Sequence, residues 1–163
     1  MKLGVISDTH VPSRMRRLPP RVLQTFVDEE VETILHAGDI ERADVLTELE
    51  AVAPVVAVRG NMDRSGETAH LPNRRVIDLE GRRIALCHGW GAPPGIVERI
   101  LDAIEEPDID LLIYGHTHHP HDDTVRAVRV FNPGSASINY FHSSPTVGII
   151  VLNDEIEAAH YPA

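Results

Sequence analysis

Two imidazoles stand two positions apart in Gly115-His116-Thr117-His118, directly after the apolar run Ile109-Asp110-Leu111-Leu112-Ile113-Tyr114. Side chains alternate across an extended strand with period 2, so both rings leave the backbone on the same side. Neutral imidazoles held side by side are a natural grip for a transition-metal ion. Asp8 and His10, Asp39, Asn61 and His88 follow apolar runs in the same way, most of them beside Gly38, Gly60, Gly89 or Gly115. A glycine at such a corner lets the backbone turn sharply and keeps a Cβ away from a nearby ion or phosphate. Seven ligands of Asp, Asn and His type exceed what one tetrahedral site needs. They suit two ions that share a bridging carboxylate, an arrangement able to clamp both oxygens of a phosphoryl displacement.

The elements that must position these residues alternate. Lys2–Ile6 reads as a buried strand that stops at Ser7-Asp8-Thr9-His10, and residues 12–20 form a Pro- and Arg-rich loop. Pro19-Pro20 suits the first turn of a helix, which the spacing of Val22, Leu23, Phe26 and Val27 extends over about 21–30. A strand over 31–35, a helix over 42–51 and a strand over 54–58 follow. Strands at 76–79 and 83–87 flank Glu80-Gly81-Arg82, a hairpin signal. A helix over 94–106 leads into the strand before Gly115, and strands at 124–131, 146–152 and 155–160 complete the chain. Strand–helix alternation predicts parallel strands, and the strand-rich end predicts antiparallel additions. The expected class is α/β, two packed mixed sheets flanked by helices, with ligands beyond the carboxyl ends of the parallel strands.

The bulk properties narrow the setting. A chain of 163 residues predicts a single domain over 1–163 with no cap domain. The net charge of −10 argues against a broad nucleic-acid-binding face, although bound cations could still create a local phosphate site. Cys87 is the only cysteine and reads as a small buried residue. Neither a secretion signal nor an apolar run near the ~20 residues needed to span a bilayer is visible, so a cytoplasmic location is expected.

The ordered set Asp8-Thr9-His10, Gly38-Asp39, Gly60-Asn61-Met62-Asp63, His88-Gly89 and Gly115-His116-Thr117-His118 resembles the calcineurin-like metallophosphoesterases nearly end to end. Asn132-Pro133-Gly134-Ser135 resembles the turn that follows in short prokaryotic members of the phosphodiesterase type. The resemblance implies one ion on Asp8, His10 and His118, a second on Asn61, His88 and His116, and Asp39 bridging them. It further implies a bridging hydroxide that attacks phosphorus in line. Two divalent ions less Asp8, Asp39 and hydroxide leave a net charge of +1, suited to an anionic ester. The donors are N and O without Cys, which puts Mn first and allows Fe, Zn, Ni or Co.

Met62 departs from the pattern, because many members carry a histidine there that protonates the leaving group or grips phosphate. A thioether does neither. His36, His119 and His121 are the candidate substitutes, and Asp63 is expected to orient His10 or another ligand from behind. Otherwise His119 and His121 are expected at the solvent-facing rim, and His70, His142 and His160 on the surface. Arg14, Arg16 and Arg17 read as a solvated run close enough to steer a phosphate. Trp90 reads as a core or rim residue, with stacking on a ring as the sharper alternative. The implied activity is hydrolysis of a small phosphoester, without membrane or stable nucleic-acid binding and compatible with a homo-oligomer. The competing function is a non-catalytic scaffold of the same fold, acting through protein contacts as one eukaryotic branch does.

Overall fold

The computed structural model describes residues 1–137 and 144–163. His142 lies outside the described residues. Two five-stranded sheets form the centre, in the orders β10-β9-β1-β2-β3 and β4-β5-β6-β8-β7. The first contains β1 (Lys2–Ile6), β2 (Thr33–His36), β3 (Val55–Ala57), β9 (Thr146–Leu152) and β10 (Ile156–Pro162). The second contains β4 (Arg74–Leu79), β5 (Arg82–Cys87), β6 (Leu111–Ile113), β7 (Pro120–Val125) and β8 (Val128–Pro133). β1, β2 and β3 run parallel, as do β5, β6 and β8, and the outer pairings are antiparallel. Both sheets are therefore mixed, as the alternation of elements predicted.

Period-2 alternation explains why the strands are apolar on both faces. Leu3, Val5 and Leu35 face Ile84, Leu86, Leu111, Ile113 and Phe131 in a core between the sheets. Their neighbours in sequence point outward. Ile6 and Ile34 meet Val22 and Phe26 of α1 (Pro20–Asp28) and Val45 and Leu49 of α2 (Asp44–Glu50). On the other side Ala85, Cys87 and Leu112 meet Ile96, Val97 and Ile100 of α3 (Ile96–Ala103). Each strand thus serves two apolar layers, which is why its sequence reads as a run and not as an alternation.

Two elements differ from expectation. The strand read over 124–131 is a hairpin, β7 to β8, that turns at Arg126 and Ala127 with φ of 53° and 66°. Both left-handed positions of this turn normally attract Asn or Gly, so the sequence carried no turn signal. Helix α3 is shorter than 94–106. Gly95 enters it at φ 71°, and Ile104 is already extended at its end. Among the described residues, no helix is long and apolar enough to cross a membrane.

Candidate metal centre

The loops after β1, β2, β3, β5 and β6 meet at one rim of the two sheets. They bring Asp8, His10 and His118 together with one ligand atom each, all within 4.8 Å of one another. Asp8, Asp39 and His88 form a second such group. Asp8 Oδ1 lies 3.1 Å from His118 Nε2, 3.8 Å from His10 Nε2 and 4.0 Å from His88 Nε2. Asp39 Oδ2 stands between His88 Nε2 at 3.4 Å and His10 Nε2 at 3.7 Å. The expected ligands Asn61 and His116 sit at the open edge. There Asn61 Oδ1 contacts His116 Nδ1 at 3.0 Å, and His116 Nε2 faces the Gly91 carbonyl at 2.9 Å. His116 belongs to neither compact group, although its ring centroid is 5.2 Å from that of His88.

The surrounding groups aim the ligand atoms inward. His88 Nδ1–H donates to the Ala37 carbonyl at 2.8 Å, and His10 Nδ1–H donates to Glu41 Oε1 at 2.8 Å. With the proton fixed on Nδ1, the Nε2 lone pair of each ring is directed into the centre. Asp8 Oδ2 accepts from Ser7 Oγ at 2.6 Å and from the His116 amide at 3.1 Å, which turns Oδ1 toward the rings. Asp39 Oδ1 accepts from the Met62 amide at 2.7 Å. Position 62 thus holds Asp39 through its main chain, whatever its side chain.

Whether these donors fit a divalent cation is answered by two atoms. Asp8 Oδ1 and His88 Nε2 are buried and have no hydrogen-bond partner. Leaving such atoms unpaired is costly, and a shared cation would satisfy both. Burial alone would raise the Asp8 carboxyl, but the close approach of His118 and the nearby His88 and His118 charges more than offset this and hold it below the usual carboxylate range. Burial, opposed by the His88 hydrogen bond and charge, likewise leaves Asp39 lowered. Burial lowers His88 less than the close approach of Asp39 and the Asp8 and Asp39 charges raise it, so the ring is pushed up to about 9. The centre is an anionic cradle that attracts a proton in place of a metal.

The backbone supports this crowding at a cost. Asp8, His10, Asp39, His116 and His118 all have φ between 49° and 69°, in the left-handed region. Such strain is concentrated at functional sites. Gly60 and Gly115 work differently. A Cβ at Gly60 would overlap Asp39 Oδ1, and one at Gly115 would overlap Ser7 Oγ. These two glycines make room for the side chains of Asp39 and Ser7.

Among the supporting residues, Glu41 and Ser13 carry no signal in the sequence. Asp63 does not touch His10. Its two oxygens accept from the amides of Ile40 at 3.0 Å, Glu41 at 2.7 Å and Gly60 at 2.7 Å, tying the Asp39 and Asn61 loops together. The carboxylate behind His10 is Glu41, held in turn by Ser13 Oγ at 2.5 Å. Asn132 donates to the Gly115 carbonyl at 2.8 Å, and Ser135 donates to the Asp8 carbonyl at 2.9 Å, so the turn after β8 braces two ligand loops. His36 is fully buried; its Nδ1 accepts from the Gly38 amide and its Nε2–H faces Thr9 Oγ1, so it cannot reach a substrate. His119 is exposed, but His121 is bonded to the Tyr114 hydroxyl at 2.8 Å. His160 is half-buried, with its ring stacked on Phe131 at a centroid distance of 4.6 Å.

A family model for the calcineurin-like phosphoesterase superfamily domain matches residues 1–155. The chain belongs to that superfamily. Over 155 residues it is 40% identical to a probable metallophosphoesterase of Methanothermobacter thermautotrophicus, covering 95% of this chain and 88% of that protein. A phosphodiesterase of Methanocaldococcus jannaschii is 32% identical over 167 residues, covering 92% of each chain. Among solved structures, wild-type Vps29 of Entamoeba histolytica complexed with zinc matches with a TM-score of 0.74 and 26% identity, over 99% of both chains. Membership of the calcineurin-like superfamily and the Asp and His groups described above mark the chain as a metal-dependent phosphoesterase.

Proposed function

We propose that this chain is a phosphodiesterase for small phosphoesters, dependent on two divalent ions and acting from one domain without a cap. The observation that carries the reading is the pair of orphaned, buried atoms Asp8 Oδ1 and His88 Nε2, framed by further N and O donors. Asp8, His10 and His118 would hold one ion, and Asn61, His88 and His116 the other, with Asp39 between them. When bound, the ions would neutralise charge on the ester oxygens and lower the pKa of a water for attack on phosphorus. Glu41 and the Ala37 carbonyl keep the His10 and His88 rings in the coordinating tautomer. Arg14, whose Nη1 is 3.3 Å from His118 Nδ1, lines the same small cleft and can pair with an ester oxygen. Arg14 contributes charge and hydrogen bonds there, not a proton. Met62 is 37% exposed at the cleft and supplies no proton either. This favours esters whose alcohol leaves readily.

The purified protein with added Mn is expected to hydrolyse bis-p-nitrophenyl phosphate, and a chelator to abolish the reaction. No turnover with Mn, Fe, Zn, Ni or Co would overturn the reading in favour of the scaffold. Metal content by itself does not separate the two, since the Vps29 structure described above is itself a zinc complex.

A further inference from the structure

A cavity of about 920 Å³ opens from the same edge of the centre and shares Asn61 and His88 with it. Its volume lies in the range of small-molecule sites. Three arginines line it: Arg59 after β3, Arg64 after Asp63, and Arg74 at the start of β4. This is unusual company in a chain of net charge −10. Arg74 is paired with Glu106 at 3.1 Å, whereas among the described residues Arg59 and Arg64 form no ion pair. Arg59 is held by Asn73 Oδ1 at 2.5 Å and the Ala69 carbonyl at 3.2 Å, and Arg64 Nε by the Asn61 carbonyl at 2.9 Å. Neutral partners orient both guanidiniums and leave their charge unneutralised. Asp63, the one carboxylate of the lining, has both oxygens taken by the amides described above.

Apolar side chains share the rest of the lining with Asn61, Asn73 and His88. Ile100 and Ile104 line it, and Trp90 borders it 49% exposed, not in the core. Cations, an aliphatic stretch and an exposed indole in one lining describe a ligand with an anionic group and a flat ring. Charge-assisted bonds from Arg fix the former, and stacking fixes the latter. We infer that this cavity is a substrate subsite, which receives the half of a phosphoester that carries its own ring and a second phosphate, the chemistry of a phosphorylated nucleotide. The assignment rests on the proposed phosphodiesterase reading for the reacting end alone. The reacting phosphorus sits at the centre beside Asn61 and His88. The second phosphate sits between Arg59 and Arg64.

Trp90 is the only tryptophan, so its fluorescence reports on the cavity without any turnover. Titrating the chelated protein with thymidine 3′,5′-bisphosphate is expected to change that signal. Arg59→Gln and Arg64→Gln should each weaken binding by about tenfold or more, the loss expected when a hydrogen bond to a charged group is removed. Thymidine itself should bind more weakly still. In the Mn-loaded protein, kcat/KM for a 5′-phosphorylated dinucleotide should fall by a similar factor in Arg59→Gln, while that for bis-p-nitrophenyl phosphate should change less than about twofold. The inference is overturned if the bisphosphate and thymidine bind alike, if both Gln variants bind as the parent does, or if Arg59→Gln slows both esters equally. An inactive parent that still binds the bisphosphate through these arginines would sink the phosphodiesterase reading and leave the anion subsite standing.

Discussion

The two halves of the metal centre differ in how far their geometry is already in place. Around Asp8, His10, Asp39 and His88 every ligand side chain is buried, and those of Asp8, His10 and His88 are backed by a named partner: Ser7, Glu41 and the Ala37 carbonyl. At the open edge, Asn61 and His116 are turned toward each other and toward the Gly91 carbonyl. Both His116 nitrogens face oxygens there, and a neutral ring can donate to only one of them. The buried half is preorganised for a cation, whereas the open half must rearrange to take one. Preorganisation and access to substrate therefore fall to different halves of one site.

The hardest test of this division is Asp39→Asn, because Asp39 Oδ2 faces both His10 and His88. Metal content should drop at both positions and phosphodiesterase turnover should fall about 10³-fold, near the upper loss for one charge-stabilising group. A variant that kept full metal and rate would remove Asp39 from its bridging place. Glu41→Gln should act on the buried half, lowering affinity for its ion by about 10- to 100-fold, as outer-sphere partners of ligating histidines do. Equal weakening at both ions, read by calorimetry, would mean that Glu41 supports the fold and not the His10 ring.

The buried half should also show in the acid stability of the chelated protein. Burial pushes His36 down to about 3, so below 6.5 the unfolded chain takes up a proton that the folded one refuses. Stability therefore falls with pH between about 6.5 and 3, by about 1.4 kcal/mol per unit from this residue. His88, raised to about 9, is protonated in both states across that window and adds no slope. Urea unfolding at three pH values should show a shallower dependence in His36→Gln; an unchanged slope would assign the effect elsewhere. The smallest effect concerns the open half. Breaking at least one His116 hydrogen bond costs about 1 kcal/mol, so the second ion should bind about fivefold more weakly than the first. His116→Ala should abolish only that weaker event.

Much of this was legible in the sequence because ligand types stand at strand ends and strands are read easily. Lys2–Ile6 and Thr146–Leu152 form where their apolar runs stand. Asp8, His10, Asp39, His88 and His118 converge because parallel strands deliver their following loops to one rim. What stayed hidden lies in loops, where no period operates. Glu41 sits two residues beyond Asp39, and only its left-handed φ of 73° sends its carboxylate back to His10. Asp63 braces the Asp39 and Asn61 loops and not the His10 ring, since nothing in Gly60-Asn61-Met62-Asp63 shows that its oxygens are consumed by three amides. Arg59, Arg64 and Arg74 are scattered over sixteen positions and become neighbours only through the packing of β3, β4 and α3. The β7–β8 turn was missed because Arg126-Ala127 is a turn without turn residues.

The left-handed backbone at five of the ligand positions also limits how this sequence can change by descent. A lineage that no longer needed the metal would be released from keeping Asp or His there, but not from the backbone conformation. Gly, Asn and Asp tolerate that conformation, and β-branched residues do not. Drift at positions 8, 39 and 118 should therefore run toward Asn and Gly long before it reaches Val or Ile. The shape of the empty cradle would outlast its chemistry.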